Sequence, residues 1–331
     1  MNNFWQELDK PIHCLAPMED VTDTVFREIV LSQANRGALD VVYTEFVNTD
    51  GMCHPIGRKN VIHRLQVNDS ERVLLKEKNV KLVAQIWGAN PEKYSETVKL
   101  ICDEMEYDGI DINMGCPVPK IIKHGSCAKL ITNPQLAAEI IQATKEASNL
   151  PVSVKTRIGY KEIATEEWLT HLLEQDIDAL LVHGRTQKMM SEGRAKWDEI
   201  AKGVTIRDNL GKDTVIIGNG DVDSLADSNE KCEKYGLDGT MVGRAIFHNP
   251  WLFNPDKGEV PKTEQLQLLW DHTCLFDETW GRQKNFNQLK RFYKIYATGF
   301  AGAAALRNEL LGSRGLDQVR EILIREGLEF S

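Results

Sequence analysis

The chain has 331 residues, 42% of them hydrophobic and 27% charged, with a net charge of -9. This balance excludes a low-complexity or disordered chain, and no apolar run reaches the roughly 18 residues a membrane span needs. The opening stretch MNNFWQELDK lacks the basic start and apolar core of a secretory signal, so the cytoplasm is the expected compartment.

Eight β-rich runs follow in order: IHCLAPM (12–18), DVVYTEFV (40–47), KLVAQIWG (81–88), GIDINMG (109–115), PVSVKTRIG (151–159), ALLVHGR (179–185), TVIIGNG (214–220) and GTMVGRA (239–245). Helical patterns lie between most of them. PEKYSETVKLICDEM and NPQLAAEIIQATKEA both open with proline near the first turn, where its missing N–H costs nothing. Eight β-α repeats over about 250 residues predict a closed (β/α)8 TIM barrel. A doubly wound open sheet is the competitor. It usually opens on a Gly-rich turn after its first strand, whereas this chain reads APMEDVTD there.

The alternation stops near residue 255. The segments after it are amphipathic, and residues 262–331 are expected to form a small α-helical domain behind a barrel of residues 1–255. Between 281 and 320, eight basic residues (Arg282, Lys284, Lys290, Arg291, Lys294, Arg307, Arg314, Arg320) stand against Glu309 and Asp317, a local balance of +6. Overall acidity argues against a nucleic-acid partner; this stretch argues the other way.

The seven cysteines are odd in number and widely spaced, with no C-x-x-C pair. Neither a disulfide framework nor a zinc ribbon is expected, and no metal site is predicted.

A TIM barrel works at the carboxyl ends of its strands, and the unusual polar residues fall there. With period two, Ser153, Lys155 and Arg157 face the interior while Val152, Val154 and Thr156 face the helices. Asp111 and Asn113 face inward on the preceding run, Gln85 closes another, and His183 and Arg185 end VHGRT. A buried lysine needs a partner: either an acid such as Asp111, or a ligand rich in oxygen and nitrogen. GNGD (218–221) and VGRA (242–245) place glycines after the last two strands, where barrels often hold phosphate. Arg244 can add a charged contact.

In DINMGCPVPKIIKHGSCAKLI (111–131), Cys116 follows the strand directly and Pro117 restrains it. Its thiol is expected at the barrel mouth as nucleophile, metal ligand or proton donor. Lys120, Lys123 and His124 behind it can lower its pKa or attract a polyanion.

LAPMEDVTD (15–23), TEF (44–46), AQIWG (84–88), DINMGCPVPKIIKHGSCAKLI (111–131), VSVKTRIG (152–159), VHGRT (182–186), IIGNGD (216–221) and VGRA (242–245) together resemble the tRNA-dihydrouridine synthase family. The resemblance runs through the whole barrel in order. It implies an FMN enzyme reduced by NADPH, or NADH, that adds hydride to C6 of a tRNA uracil while Cys116 protonates C5. Pro17, Met18, Glu19, Gln85, Lys155 and His183 would line the flavin, and Asn219, Gly220, Asp221, Gly243 and Arg244 its phosphate end. Asn113, Lys120, Arg157 and Arg185 would meet the substrate. The tail would be the tRNA-binding domain, and a monomer with no membrane partner is expected. A thiol at its ordinary pKa, near 8.5, would be largely protonated and able to act as the acid. The chain departs from the family at Ser126 and Cys127, where small Gly or Ala is common. Three other readings fit parts of the pattern: an FMN barrel acting on a free pyrimidine or small enone, a non-catalytic RNA-binding barrel, and a non-redox barrel for a sugar phosphate. Only the first shares a role for Cys116, and none but the RNA binder uses the basic tail.

Overall fold

The computed structural model describes residues 3–330. Nine strands form one parallel sheet: β1 Ile12–Leu15, β2 Val41–Tyr43, β3 Val47–Asn48, β4 Lys81–Trp87, β5 Gly109–Met114, β6 Val152–Arg157, β7 Ala179–His183, β8 Val215–Asn219 and β9 Gly239–Val242. β2 and β3 both pair with β4, each strand from β5 on pairs with the one before it, and β1 pairs with both β2 and β9, so the sheet closes on itself. The result is the predicted TIM barrel of eight staves, one of them broken into β2 and β3.

That break has a local cause. The Thr44 hydroxyl accepts the Gln85 N–H at 3.1 Å, taking a place a backbone carbonyl would hold in an uninterrupted ladder. The run 40–47, read as one strand, therefore pairs with β4 twice, before and after Thr44.

The inward positions separate into two levels. Ile12, Cys14, Val41, Tyr43, Val83, Ala179, Leu181, Val215, Ile217 and Met241 form a dry floor. Above it, toward the carboxyl ends, come Gln85, Asp111, Asn113, Ser153, Lys155, Arg157, His183 and Asn219. The outward face is apolar: Val152 and Val154 are buried, and Thr156 receives the Trp168 indole N–H at 2.9 Å from the helix Thr165–Leu173.

A short helix, Phe4–Glu7, plugs the opposite end, and its Phe4 and Trp5 join the floor cluster. Gly109 makes room for this plug, since a β-carbon there would stand 3.1 Å from the Phe4 ring.

The chain divides into two compact units. The first holds residues 1–23, 39–66 and 79–243, the second residues 24–38, 67–78 and 244–331. Two crossover helices, Thr24–Gln33 and Asp69–Lys78, thus group with the tail. Within the second unit Arg27 donates to Glu71 at 2.6 Å with both side chains fully buried, and Thr24 adds a 2.6 Å bond to the same carboxylate. Desolvation lifts the Glu71 pKa despite the arginine. Phe26 stacks on Phe247 and Phe292 and lies against His272, which hydrogen-bonds Tyr296 at 2.7 Å.

Trp5 is 1% exposed. Trp5→Ala should open a cavity in the barrel floor and cost about 3–5 kcal/mol. A urea midpoint equal to that of the parent protein would contradict the plug.

Candidate active site

The site begins with a carboxylate in the barrel interior. Asp111 accepts the Ser153 hydroxyl at 2.6 Å and the Gln85 amide N–H at 2.7 Å. Desolvation pushes its pKa up to about 6, against the lowering effect of those two bonds and of Lys155. The Gln85 amide is thereby fixed in rotamer and sense: its oxygen must face the other way, and it accepts Asn113 Nδ2 at 3.0 Å. Asn113 Oδ1 in turn accepts the backbone N–H groups of Gly115 and Cys116, at 3.0 and 2.9 Å. One chain of hydrogen bonds therefore runs from the middle of the barrel to the backbone of Cys116.

Two further clamps hold the loop after β5. Arg157 Nε donates to Gly115 O at 2.6 Å, while its Nη1 reaches Thr186 O at 3.0 Å and Met190 O at 2.6 Å. Gln187 Nε2 donates to Pro117 O at 3.1 Å. The loops after β5 and β7 are thus tied to each other. Burial lowers the Arg157 pKa to about 10, which still leaves it charged at neutral pH.

Cys116 is half-buried beside these groups. The neighbouring Cys127 thiol lowers its pKa; partial burial works against that, while the backbone at Val118 and the charge of Arg157 add to it. The thiol is therefore not at its ordinary pKa, and the cause is Cys127, not the expected Lys120, Lys123 or His124. Those three are exposed. Cys127 is fully buried and its own pKa is raised, chiefly by desolvation.

Lys155 lies across the mouth. Its ammonium donates to Asn219 Oδ1 at 3.0 Å, and Asn219 Nδ2 is committed to Met241 O at 2.8 Å. Desolvation, and then the neighbouring Arg157, lower the Lys155 pKa to about 8. Asp111 is close enough to be felt electrostatically, but its oxygens are bound to Gln85 and Ser153. An ammonium has three protons, and this one has a single protein acceptor among the described residues.

Seven predicted residues line one open cavity: Pro17, Gln85, Asn113, Cys116, Lys155, Arg157 and His183. Phe46, Gly115 and Pro117 complete it. Met18 and Glu19 follow Pro17; Glu19 is exposed and ion-pairs with Arg64 at 2.5 Å. Gly243 is open at the end of β9, with nothing closer than 3.9 Å to an added β-carbon. Gly220 is crowded instead: its φ is +120°, and a β-carbon would meet Ala195 at 2.7 Å. Arg244 is exposed and opens the second unit. Lys120 sits on the short exposed helix Pro119–Ile122.

Arg185 requires a correction. Expected on the substrate, it is 1% exposed and its donors are spent inside the protein. Nη2 reaches both Asp221 oxygens at 2.7 Å and Gly193 O at 2.6 Å, and Nη1 reaches His183 Nε2 at 3.0 Å. A guanidinium can only donate, so His183 accepts through Nε2 and carries its proton on Nδ1. Asp221, expected near a phosphate, also accepts the Ala195 N–H at 2.8 Å. Arg185 and Asp221 orient His183 from behind. Asp111, Ser153 and Gln187 were not foreseen as parts of the site. The period-two pattern had marked Asp111 and Ser153 as inward, but it could not show that they hold Gln85.

The donor set fits a planar ring bearing several oxygens and nitrogens: a cationic N–H source at Lys155, amides at Gln85 and Asn113, and a neutral imidazole at His183. A closed parallel barrel with these groups at the carboxyl ends of its strands belongs to the TIM-barrel enzymes. Similarity to a solved structure named morphinone reductase agrees on the fold, with TM-score 0.52 and 11% identity over 76% of this chain and 87% of that one. Residues 14–325 match the family described as dihydrouridine synthase (Dus). The chain is 45% identical to the "Probable tRNA-dihydrouridine synthase" of Staphylococcus aureus (strain COL), covering 97% of this chain and 94% of that one. It is 43% identical to "Probable tRNA-dihydrouridine synthase 2" of Bacillus subtilis (strain 168), covering 97% and 95%. The chain belongs to the dihydrouridine synthase family.

Asn113→Ala removes the acceptor for two buried N–H groups. It should cost about 1–3 kcal/mol and change the rate at which Cys116 reacts with iodoacetamide. Unchanged unfolding together with unchanged labelling would show that the chain of bonds does not hold the loop.

Proposed function

We propose that this protein is a tRNA-dihydrouridine synthase, reducing the C5–C6 double bond of uracil in tRNA with FMN as cofactor and NADPH as reductant. The observation that carries the reading is the placement of Cys116 and Lys155 on one cavity at the mouth of a barrel whose chain belongs to this family. When bound, reduced FMN supplies the hydride that uracil accepts at C6. Lys155, Gln85 and His183 hold the isoalloxazine ring, with Pro17, Met18 and Glu19 beside it. The phosphate end falls to the backbone N–H groups of Gly220, Asp221 and Gly243 beside Asn219, since the Asp221 carboxylate is already bound to Arg185.

Reduction at C6 leaves C5 in need of a proton, and Cys116 Sγ gives it. The neighbouring Cys127 thiol stabilises the thiolate left behind. Asn113 retains one amide proton beyond the bond to Gln85, and Arg157 Nη2 retains both of its own; these meet the base. The target base must leave its stack to reach the cavity, at a cost of a few kcal/mol. Phosphate contacts supply that energy. Within the tail, Lys284 lies 3.7 Å over the Trp280 ring, Lys290 donates to Leu311 O and Arg307 to Ala297 O. Arg282, Arg291, Lys294 and Arg314 are exposed and are the cations proposed for tRNA. The barrel would be the catalytic domain, the tail the tRNA-binding domain, and the enzyme a cytoplasmic monomer.

Purified protein with FMN and NADPH should convert uridine to dihydrouridine in unmodified tRNA. Cys116→Ala should keep its flavin and lose about 10²–10⁴-fold in kcat. Parent-level turnover would remove the acid from Cys116, and a protein that binds no flavin would remove the whole reading.

Lys155 is cationic below about pH 8 and neutral above it. FMN retention should therefore fall as pH is raised from 7 to 9, and Lys155→Met should hold less flavin and lose that step. An identical pH profile in the variant would contradict the assignment.

Replacing Arg282, Arg291, Lys294 and Arg314 with Gln should raise KM for tRNA and flatten its salt dependence by about 0.7–0.9 in log–log slope for each phosphate left unneutralised. This is a cleaner test than deleting residues 262–331, because Phe292 and His272 pack on Phe26 within the second unit. An unchanged salt slope would place the RNA interface elsewhere.

A further inference from the structure

Cys127 is used above only as a neighbour of Cys116, yet its placement is costly. Its backbone has φ +54°, a left-handed conformation that costs a residue with a β-carbon about 1–2 kcal/mol. It is 0% exposed and begins the turn Cys127–Thr132 packed behind the reactive loop. The Ala128 N–H, one residue on, donates to Cys116 O at 3.3 Å, so the two cysteine backbones run side by side. All seven thiols are free, and Cys116 and Cys127 each shift the pKa of the other. One sulfur of the pair lines a cavity open to solvent; the other has no solvent access.

We propose that Cys116 and Cys127 form an oxidative modification site, in which a hydroperoxide oxidises Cys116 and Cys127 closes on it as a reversible disulfide. The Cys116 thiolate attacks an oxygen of the hydroperoxide. The O–O bond breaks, sulfur is oxidised by two electrons to the sulfenic acid, and the second oxygen takes up the proton the thiol gave up on ionising and leaves as water, or as the alcohol of an organic peroxide. Cys127 then attacks Cys116 Sγ as its own proton passes to the departing oxygen. The S–S bond forms, the S–O bond breaks, and water leaves. With hydrogen peroxide, two thiols give one disulfide and two waters. The backbone bond from Ala128 to Cys116 holds the two residues side by side, so the resolving sulfur starts next to its target, and closure competes with further oxidation of Cys116 to the irreversible acids. While the bond lasts, the proton donor is absent from the mouth; a dithiol restores it.

The test is peptide mapping of the intact, flavin-loaded protein after hydrogen peroxide treatment and alkylation of remaining thiols. The expected product joins the peptides of Cys116 and Cys127 and separates again with dithiothreitol. Cys127→Ser keeps a donor to Cys116 but cannot close the bond, and Cys127→Ala removes both. Each should raise the irreversibly oxidised fraction of Cys116 by about tenfold or more. Wild-type protein that yields sulfinic or sulfonic Cys116 while Cys127 stays open to alkylation would overturn the proposal, as would a disulfide to any other cysteine. The mapping of wild type decides the matter even if neither variant folds. It does not use tRNA, so its failure is separate from failure of the proposed reaction.

Discussion

A buried carboxylate, Asp111, sits at the start of everything that matters in this barrel. It takes one hydrogen bond from Ser153 and one from Gln85, and Gln85 then has only its oxygen to offer Asn113. Asn113 passes the constraint to the backbone of Gly115 and Cys116. Each bond contributes only about 1 kcal/mol net, and somewhat more at the charged end, but leaving any member without its partner costs about 1–3 kcal/mol. Such a network is close to all-or-none. It holds amide senses and side-chain rotamers across four residues, and so it holds the loop that carries the thiol. Arg157 and Gln187 then lock that loop to the next but one.

The same burial sets the electrostatics of the mouth. Asp111 is pushed up to about 6 and Lys155 down to about 8, both by desolvation. Two arginines, 157 and 185, are satisfied largely by carbonyls and by Asp221, and they bring positive potential into the barrel while exposing little of themselves. A chain of net charge -9 thus still places Lys155 and Arg157 on its cavity. The acidity that argued against nucleic acid is a property of the whole surface and says nothing of this cavity. Cys116 and Cys127 divide a similar conflict, since only one sulfur of the pair is poised to ionise.

Much of the architecture was legible because a parallel barrel repeats a local pattern. Apolar runs end in turn residues, helices start at proline, and period two separates Lys155 and Arg157 from Val154 and Thr156. Those signals are written in neighbouring residues. What was not legible depends on segments far apart in the chain. Phe4 and Trp5 look like a polar N-terminus with two chance aromatics until Gly109, a hundred residues on, makes room for them. Arg185 has the look of a substrate residue because it ends a strand; only the return of the chain at Gly193 and Asp221 buries it. Gly220 suggested a phosphate cradle, but Ala195 and a positive φ already require glycine there. The two crossover helices carry no mark that they group with residues 244–331; Phe26, Arg27 and Glu71 show it only through their partners.

The account turns on where the proton at C5 of the product originates. A single turnover in D2O, with flavin reduced beforehand and the product read by nucleoside mass spectrometry and NMR, tests this directly. One deuterium at C5 in the wild type, and its loss together with the product in Cys116→Ala, is the predicted result. Product formed at the parent rate without Cys116, carrying the same deuterium at C5, would mean that another acid does the work and that the buried chain from Asp111 positions the wrong atom.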